Sequence, residues 1–317
     1  MARGQSGAGG GDNARNHARW DDLVRAHLAS RATGSGWSVY VSRLWEHHLA
    51  AGFANEHFVR ELTKGLKEAF FQRVWEMMLG RHLVACGYDV LSPADAGMPD
   101  YRIIKSGSAA WVEATCAMAG QDPLLAPQAE WLCSSGFVPH DSILLRWTNA
   151  LSQKIRQAEV RRRSGMIGPR ESYVIAINGG AIGTANFGFG ASNLPYVVEA
   201  TLAVGPLRFN YDRQTMGFKG AAHDQRTMTQ KGMSAVPTAV FFDRSNRGIA
   251  AVAGIGLSRV EATMLPLLVA HNPNADCPFP TGQLGDGSRE WAACLKSEDK
   301  SASYWEITEV SKTETAR

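Results

Sequence analysis

The spacing of hydrophobic residues predicts helices in the first quarter of the chain. Between residues 18 and 52, hydrophobic side chains recur at the helical period, and the glycines within 34–36 divide this pattern into two helices. A longer pattern, with hydrophobic residues at three- and four-residue steps, predicts a helix over residues 57–85. We expect Gly87 to end this helix as its C-cap.

After residue 87 the hydrophobic period changes to two, which is the period of a β-strand. Strands are predicted at residues 88–91, 99–105, 110–118, 142–147 and 172–178. Ser106 and Gly107 form a tight turn between the second and third of these strands. A helix is predicted over residues 149–163. This order of elements predicts a mixed sheet flanked by helices, which is an α/β or α+β architecture, and we expect the α/β class.

The pattern weakens in the second half of the chain. Strands are predicted at residues 238–242 and 249–255, and a strand-like patch covers residues 304–310. Residues 262–270 are apolar and fit either a helix or a strand. We expect this half of the chain to extend the same sheet or to flank it.

These patterns divide the chain into four parts. Residues 1–16 are rich in glycine and polar side chains and are expected to form a flexible tail. A helical segment follows over residues 17–56, and an α/β core over residues 57–180. Residues 181–317 are expected to form a C-terminal extension that packs on the core, and its role is left open.

Composition narrows the class of protein. The chain has 317 residues, of which 44% are hydrophobic and 20% are charged, as in globular proteins. No apolar run reaches the roughly 18–20 residues of a membrane helix, and the N-terminus lacks the apolar segment of a secretory signal. The five cysteines show no zinc-binding or disulfide spacing. We therefore expect a cytoplasmic protein with no membrane partner. A net charge of +3 leaves nucleic acid open as a partner.

Two carboxylates on adjacent predicted strands are the clearest chemical signal. A two-residue turn after Lys105 places Asp100 directly opposite Glu113. Directly opposed residues have Cβ atoms about 4.5–5.5 Å apart, and two ionised carboxylates this close repel each other unless a cation lies between them. Mg²⁺ binds oxygen ligands, usually one or two carboxylates with water and a phosphate, and Thr115 points to the same face. The alternative is that Asp100 is an ordinary turn residue and Glu113 lies on an exposed strand face.

The sequence Pro99-Asp100, a hairpin and then Glu113-x-Thr115 resembles the PD-(D/E)xK nuclease superfamily, which has the restriction-endonuclease-like fold. The core of that family is a helix, a three-stranded meander, a helix and a further strand. Residues 57–178 show a similar order with one extra strand. The resemblance implies a nuclease in which Asp100 and Glu113 hold Mg²⁺ or Mn²⁺ to hydrolyse phosphodiester bonds, most directly in DNA. Many such nucleases act as homodimers, and the oligomeric state is left open here.

The resemblance also implies a third metal ligand before the meander. Many members of the family carry a glutamate on that helix, and Glu76 matches its place, where it would assist Asp100 and Glu113 directly or through water. Gly80, one turn further on, leaves room for a metal ion or a phosphate. The alternative is a surface glutamate paired with Arg73.

The sequence departs from the family pattern at the signature lysine. Thr115 occupies the position where the family's lysine orients or activates the attacking water. Some members supply this lysine from a neighbouring helix, and Lys154 is the candidate here, with Gln157 one turn further on. The alternative is an exposed helix lysine. If no lysine serves, the protein is a catalytically inactive module of the same fold that binds nucleic acid or protein.

A run of three arginines ends the same predicted helix. Arg161, Arg162 and Arg163, with Gln157, would contact the phosphate backbone of a nucleic acid. The alternative is that the arginines are exposed side chains, which the helix dipole favours in the last turn of a helix.

Overall fold

A computed structural model describes most of the chain. The described residues are 9–30, 36–63, 67–93, 95, 97–125, 138–182, 188–231, 234–298 and 302–310. The chain divides into two compact units, Met1–Arg81 and His82–Arg317. The predicted α/β core begins at residue 57, whereas residues 57–81 belong to the first unit. A hydrophobic helical pattern shows which face is buried but not which neighbour buries it.

The described elements of the first unit are helices. They are α1 (Gly9–Ser30), α2 (Trp37–Ala50), α3 (Glu56–Thr63) and α4 (Lys67–Ala85), of which the last continues into the second unit. α4 ends before Gly87, which adopts a φ of 77°, as expected for a C-cap glycine. α1 begins at Gly9, inside the predicted flexible tail, while residues 1–8 lie outside the described part of the chain.

Apolar side chains of α2 and α3 contribute to the core of the first unit. Val41, Leu44 and Trp45 of α2 are buried, and so are Phe58 and Leu62 of α3. The rings of Trp45 and Phe58 lie 6.4 Å apart in a stacked arrangement. The three- and four-residue spacing of these side chains explains why helices are predicted correctly here, although the single helix predicted over residues 57–85 is described as two helices, α3 and α4.

The second unit is built around one large sheet. Its strands are β1 (Asp89–Leu91), β2 (Tyr101–Lys105), β3 (Ser108–Cys116), β4 (Ser172–Asn178), β5 (Val204–Tyr211), β6 (Phe218–Gln225), β7 (Met228–Lys231), β8 (Ser234–Pro237), β9 (Ala251–Ile255), β10 (Leu268–His271), β11 (Arg289–Glu298) and β12 (Ala302–Glu309). Its helices are α5 (His140–Arg163) and α6 (Tyr196–Thr201). In the described part of the chain, no helix combines the length and apolar composition needed to cross a membrane.

Eight strands form a mixed sheet in the order β1-β2-β3-β4-β9-β10-β11-β12, and β5–β6 and β7–β8 form two small sheets. β3 runs parallel to β4, and β4 runs parallel to β9. The strands predicted at residues 249–255 and 304–310 are β9 and β12, so the second half of the chain extends the sheet, as predicted. All seven residues of β4 are buried, as its continuous apolar sequence indicates. α5 packs against β3 and β4.

The β2–β3 hairpin has the register that the sequence predicts. The two turn residues adopt φ values of 50° and 81°. Two positive φ values are typical of the type I′ turn, which matches the twist of adjacent strands. The ladder runs from Lys105 beside Ser108 to Tyr101 beside Val112. Asp100 is the next residue along this hairpin.

The strand predicted at residues 142–147 is wrong, because these residues lie in α5. All of them except Arg146 are buried. A short apolar run can be buried in a central strand or in a core helix, so periodicity alone does not separate the two. The observed order is therefore α4, β1, β2, β3, α5 and β4, without the extra strand.

The strand predicted at residues 238–242 is also wrong. Val240–Phe242 forms a short 3₁₀ turn. The side-chain amides of Asn246 and Asn274 each donate a hydrogen bond at 2.8 Å to a carbonyl of this turn. These side-chain donors satisfy backbone groups that a strand would pair in a ladder, and such long-range contacts are not visible in the local pattern.

Candidate active site

Glu113 lies at the centre of a buried ion-pair cluster. It is a residue of β3, and only 2% of it is exposed. Its Oε1 accepts a hydrogen bond from Lys154 Nζ at 2.5 Å, and its Oε2 accepts one from Arg161 Nη1 at 2.7 Å. Lys154 and Arg161 are two helical turns apart on α5 and share one face of that helix. The two cations compensate the carboxylate for the hydration that it loses on burial.

Asp100 contacts the residue next to Glu113. It directly precedes β2, and its Oδ2 accepts a hydrogen bond from the backbone N–H of Ala114 at 2.7 Å. This bond lies just beyond the last ladder pair, Tyr101 and Val112, because Asp100 is one residue before Tyr101 and Ala114 is two residues after Val112. The structure therefore brings Asp100 and Glu113 to the same end of the hairpin, as the predicted register requires.

Arg161 connects α5 to two other parts of the second unit. Besides Glu113, its guanidinium donates hydrogen bonds to the carbonyls of Gly97 at 2.5 Å and Met98 at 3.3 Å, and to the Tyr173 hydroxyl at 2.8 Å. Burial acts to lower the pKa of Arg161, but the interactions with Glu113 and Tyr173 outweigh it and raise the pKa. Arg161 thus remains charged while it ties α5 to the segment that leads into β2.

Tyr173 on β4 completes the cluster, and nothing in its local sequence indicates this role. Its side chain is fully buried, and its hydroxyl oxygen lies 3.4 Å from Glu113 Oε2. Burial and the Glu113 carboxylate raise the pKa of Tyr173 far above its usual value, so the hydroxyl stays neutral. Its place follows from the parallel pairing of β3 with β4, where Tyr173 lies beside Trp111. The local hydrophobic pattern does not contain this register.

Thr115 and Gln157 lie beside the charged residues of the cluster. Thr115 is two positions after Glu113 on the same face of β3 and is buried. Gln157 lies between Lys154 and Arg161 on the same face of α5. Its Oε1 is buried and has no hydrogen-bond partner among the described residues. A buried oxygen of this kind is an acceptor that a cation, a water or a ligand can satisfy.

Glu76 lies in the first unit and is paired within its own helix. Its carboxylate accepts hydrogen bonds from Gln72 Nε2 at 3.0 Å and from Arg73 Nη1 at 2.6 Å, and only 3% of the residue is exposed. The pairing with Arg73 agrees with the alternative drawn from the sequence, although Glu76 is buried and not at the surface. Its role as a third metal ligand stays a prediction.

The three arginines at the end of α5 have different surroundings. Arg161 binds Glu113, as described above. Arg162 is partly buried and donates hydrogen bonds to backbone carbonyls that precede β4 and β9, and burial lowers its pKa. Arg163 is exposed and pairs with Glu159. Of the three arginines only Arg163 is exposed, and their contact with the phosphate backbone of a nucleic acid stays a prediction.

The oxygen atoms near Glu113 are of the chemical types that hard divalent cations bind. Asp100, Glu113 and the Gln157 amide offer oxygen ligands, and Mg²⁺ usually takes its remaining ligands from water or a phosphate. A metal ion would share the Glu113 carboxylate with Lys154 and Arg161, and these two cations already neutralise the carboxylate. Within the described residues, no group of three His, Cys, Asp or Glu side chains is arranged to hold a metal ion.

The charges of the cluster are balanced. Two cations of α5 bind the Glu113 carboxylate with a neutral hydroxyl beside it, and the Asp100 carboxylate binds the backbone of the adjacent Ala114. Such an arrangement can bind an anionic group through its cations and a metal ion through its carboxylates. The chain matches no family model, no curated protein and no solved structure, so its function is inferred from this geometry.

Proposed function

We propose that the protein is a metal-dependent nuclease that hydrolyses phosphodiester bonds in DNA. The observation that carries this proposal is the 2.5 Å hydrogen bond from Lys154 on α5 to Glu113 on β3. It supplies from a helix the cation that the PD-(D/E)xK pattern places two residues after the glutamate, where this chain has Thr115. The order α4, β1, β2, β3, α5, β4 supports the proposal, because it resembles the order of the restriction-endonuclease-like core.

Asp100 and Glu113 are the residues that would hold Mg²⁺ or Mn²⁺. When bound, the ion supplies Lewis acidity at the phosphate and lowers the pKa of a coordinated water. The Ala114 N–H orients Asp100, and two cations orient Glu113. Carboxylates that are preorganised in this way need little rearrangement when substrate binds. This preorganisation lowers the free energy of the transition state.

Lys154 and Arg161 contribute positive charge beside the reacting phosphate. In hydrolysis, water attacks phosphorus and gives up a proton to solvent, negative charge develops on the phosphoryl oxygens, and the leaving oxygen departs with the electrons of its bond and takes up a proton. The Lys154 side chain is 18% exposed, so its ammonium can contact the attacking water or a phosphoryl oxygen while Glu113 anchors it. The Arg161 side chain is 12% exposed and acts mainly by holding Glu113 and the segment before β2.

DNA is the proposed substrate because the resemblance points to it and because the cations at the site attract phosphate groups. Arg163, which is exposed at the end of α5, is available for a further contact to the phosphate backbone once its pairing with Glu159 is exchanged.

One observation favours a second function, nucleic-acid binding without cleavage. Both oxygens of Glu113 accept hydrogen bonds from cations, so the carboxylate is neutralised without a metal ion. Lys154 and Arg161 would then serve as anion-binding groups, and Asp100 would have a structural role at the start of β2. This function predicts binding of DNA that does not depend on divalent metal.

A cleavage assay separates the two functions. Supercoiled plasmid, single-stranded DNA and RNA are incubated with the full chain and Mg²⁺ or Mn²⁺. We expect metal-dependent cleavage of DNA that is lost in Asp100→Asn and Glu113→Gln, and reduced by about 10²–10³ in Lys154→Met, as for loss of one preorganised charge. Lys219→Met is the matched control, because Lys219 is a mostly exposed lysine paired with Asp212 on the β5–β6 hairpin.

Two outcomes would contradict the nuclease proposal. One is no cleavage of any substrate by the wild-type chain, together with no heat of Mg²⁺ or Mn²⁺ binding in calorimetry. The other is cleavage that survives in both Asp100→Asn and Glu113→Gln, since a contaminating nuclease would then be responsible. Metal-independent DNA binding, lost in Lys154→Met but not in Lys219→Met, would establish the second function instead.

A further inference from the structure

A second concave site lies in the second unit, at the other end of β2 from Asp100. It is a cavity of about 510 Å³ around the β2–β3 turn, bordered by residues 170–172, by residues 277–280 and by Gln283. Lys105, which lines it, is the last residue of β2, whereas Asp100 precedes the first. The length of β2 therefore separates the two sites by about 16 Å. The volume lies within the roughly 300–1,000 Å³ that is typical of small-molecule sites.

Positive charge dominates the lining of this cavity. Arg102, Lys105 and Arg170 line it with one carboxylate, Glu171. Glu171 Oε1 accepts hydrogen bonds from Arg102 at 2.8 and 3.1 Å, and its Oε2 accepts one from Trp111 Nε1 at 2.8 Å. Burial acts to raise the pKa of Glu171, but these hydrogen bonds outweigh it and lower the pKa. Glu171 is therefore ionised and neutralises Arg102.

The other two cations, Lys105 and Arg170, form no ion pair with a carboxylate in the described part of the chain. Lys105 Nζ donates a hydrogen bond to the Cys86 carbonyl at 2.8 Å and lies 5.1 Å from the centre of the Tyr88 ring. These contacts hold the ammonium in place but carry no compensating charge. Arg170 is exposed. Among the described residues, two positive charges of the cavity therefore have no paired carboxylate.

The rest of the lining offers hydroxyl groups and ring surfaces. Ser106 and Ser108 are exposed at the turn, and their hydroxyls can donate hydrogen bonds to an anionic ligand. Tyr88, Pro278 and Phe279 add ring surface to the same cavity. Ring surfaces pack well against a planar ligand group. The lining therefore suits a ligand that has both an anionic group and a planar body.

We propose that this cavity binds an organic phosphate of mononucleotide size. Its phosphate group binds Lys105 and Arg170, and its planar ring packs on Tyr88. A phosphate monoester carries close to two negative charges at neutral pH, which matches the two unpaired cations, and its three oxygens accept charge-assisted hydrogen bonds. A carboxylate would neutralise only one of them. This inference does not depend on the nuclease proposal, because none of these residues belongs to the Glu113 cluster.

Isothermal titration calorimetry of the full chain, without divalent metal, tests the proposal. The probes are adenosine 5′-monophosphate (AMP), adenosine and inorganic phosphate. We expect AMP to bind at least about tenfold more tightly than adenosine or phosphate, and more weakly as NaCl is raised. Arg170→Gln and Lys105→Gln should each weaken AMP binding by at least about tenfold. Arg213→Gln, at an exposed arginine between β5 and β6, is the control and should bind AMP as the wild type does.

Lys105→Gln also removes a hydrogen bond to the Cys86 carbonyl, so weaker binding in this variant could result from a folding defect. A second variant separates the two causes. Ser108→Glu adds a carboxylate at an exposed lining position and should abolish AMP binding with an unchanged circular dichroism spectrum. The proposal is overturned if AMP shows no binding at millimolar concentration. It is also overturned if phosphate binds as tightly as AMP, or if Arg170→Gln and Ser108→Glu bind AMP like the wild type.

Discussion

The ammonium of Lys154 on α5 lies 2.5 Å from Oε1 of Glu113 on β3, and the two side chains are 18% and 3% exposed. Arg161 binds the other oxygen, so Glu113 retains one cation when either cation is removed. Removal of Glu113, in contrast, takes from both cations, in a poorly hydrated place, the carboxylate that they bind. When one partner of a buried ion pair is removed, most of the lost stability comes from the buried charge that is left without compensation.

Loss of Glu113 should therefore destabilise the second unit more than loss of either cation. We expect Glu113→Gln to lower the free energy of unfolding by about 3–5 kcal/mol, and Lys154→Met to lower it by less. Urea unfolding followed by circular dichroism measures both. The control is Glu159→Gln, which breaks the exposed pair with Arg163 and should change stability by less than about 1 kcal/mol. Equal losses in Glu113→Gln and Lys154→Met would contradict this account.

A divalent metal ion should compete with Arg161 for Glu113. Arg161→Gln removes a positive charge next to the carboxylate, so Mn²⁺ should bind more tightly, by about tenfold, because the repulsion between the two cations is gone. Calorimetric titration with Mn²⁺ measures the affinity. Arg163→Gln, at an exposed arginine in the same turn of α5, is the control and should have little effect. Weaker Mn²⁺ binding in Arg161→Gln would mean that Arg161 organises the carboxylates more than it repels the ion.

The contacts of the candidate site differ in how far the sequence determines them. The two-residue turn sets the register of β2 and β3, and this local feature is enough to bring Asp100 to the end of the hairpin where Glu113 lies. Lys154 could be selected because the chain has few lysines near the hairpin and it lies on the helix that follows. The contact of Arg161 with Tyr173 depends on the position of α5 over β4, which is a long-range property of the fold. A local pattern does not contain it.

The assignment of helices and strands from local sequence has the same limit, because it also depends on contacts that a local pattern does not contain. Residues 172–178 were predictable as a central strand because a continuous apolar run of this length fits a buried strand. Residues 142–147 form a similar run, yet they begin a helix of 24 residues. In the mostly polar stretch that follows this run, the few buried side chains recur at the helical period. When residues 142–163 are taken as one segment, this period favours a helix. The division of the chain at residue 81 depends on packing partners, which the pattern does not reveal.

His48 is enclosed by aromatic rings in the first unit. Its ring stacks on Phe58 with centroids 4.2 Å apart, and Phe53 lies edge-on at 5.6 Å. Neither ring nitrogen has a hydrogen-bond partner among the described residues, and burial lowers the pKa of His48 from 6.5 to about 3. Below pH 6.5 the unfolded chain binds a proton that the folded state excludes. The contribution of His48 to the free energy of unfolding is therefore fully present above pH 6.5 and is lost as the pH drops toward 3.

His48→Phe should remove this pH dependence. Between about pH 6.5 and 5 we expect the wild type to lose up to about 1.4 kcal/mol per pH unit more than the variant, the amount for one proton. Urea unfolding at a series of pH values measures the difference. His57→Phe alters an exposed histidine of the same unit and should leave the slope unchanged. Parallel curves for His48→Phe and the wild type would show that His48 binds protons equally in both states.

Glu199 on α6 is a buried carboxylate with the opposite pH dependence. It is 1% exposed, its Oε1 accepts a hydrogen bond from the Ser192 N–H at 2.7 Å, and its Oε2 has no partner among the described residues. Burial raises the pKa of Glu199 above its usual 4.5 and outweighs the hydrogen bond from Ser192. The folded state therefore favours the protonated form. This contribution to stability is present below pH 4.5 and is lost as the pH rises through the raised pKa.

Glu199→Gln should make the protein less sensitive to this rise in pH. The amide oxygen can still accept the hydrogen bond from Ser192, but glutamine does not ionise, so the variant gains stability relative to the wild type as the pH rises above 4.5. Below that pH the difference between the two should be constant. Urea unfolding across this range measures it, with Glu159→Gln as the control at an exposed glutamate of α5. A difference that stays constant toward neutral pH would mean that Glu199 ionises as easily in the folded protein as in the unfolded chain.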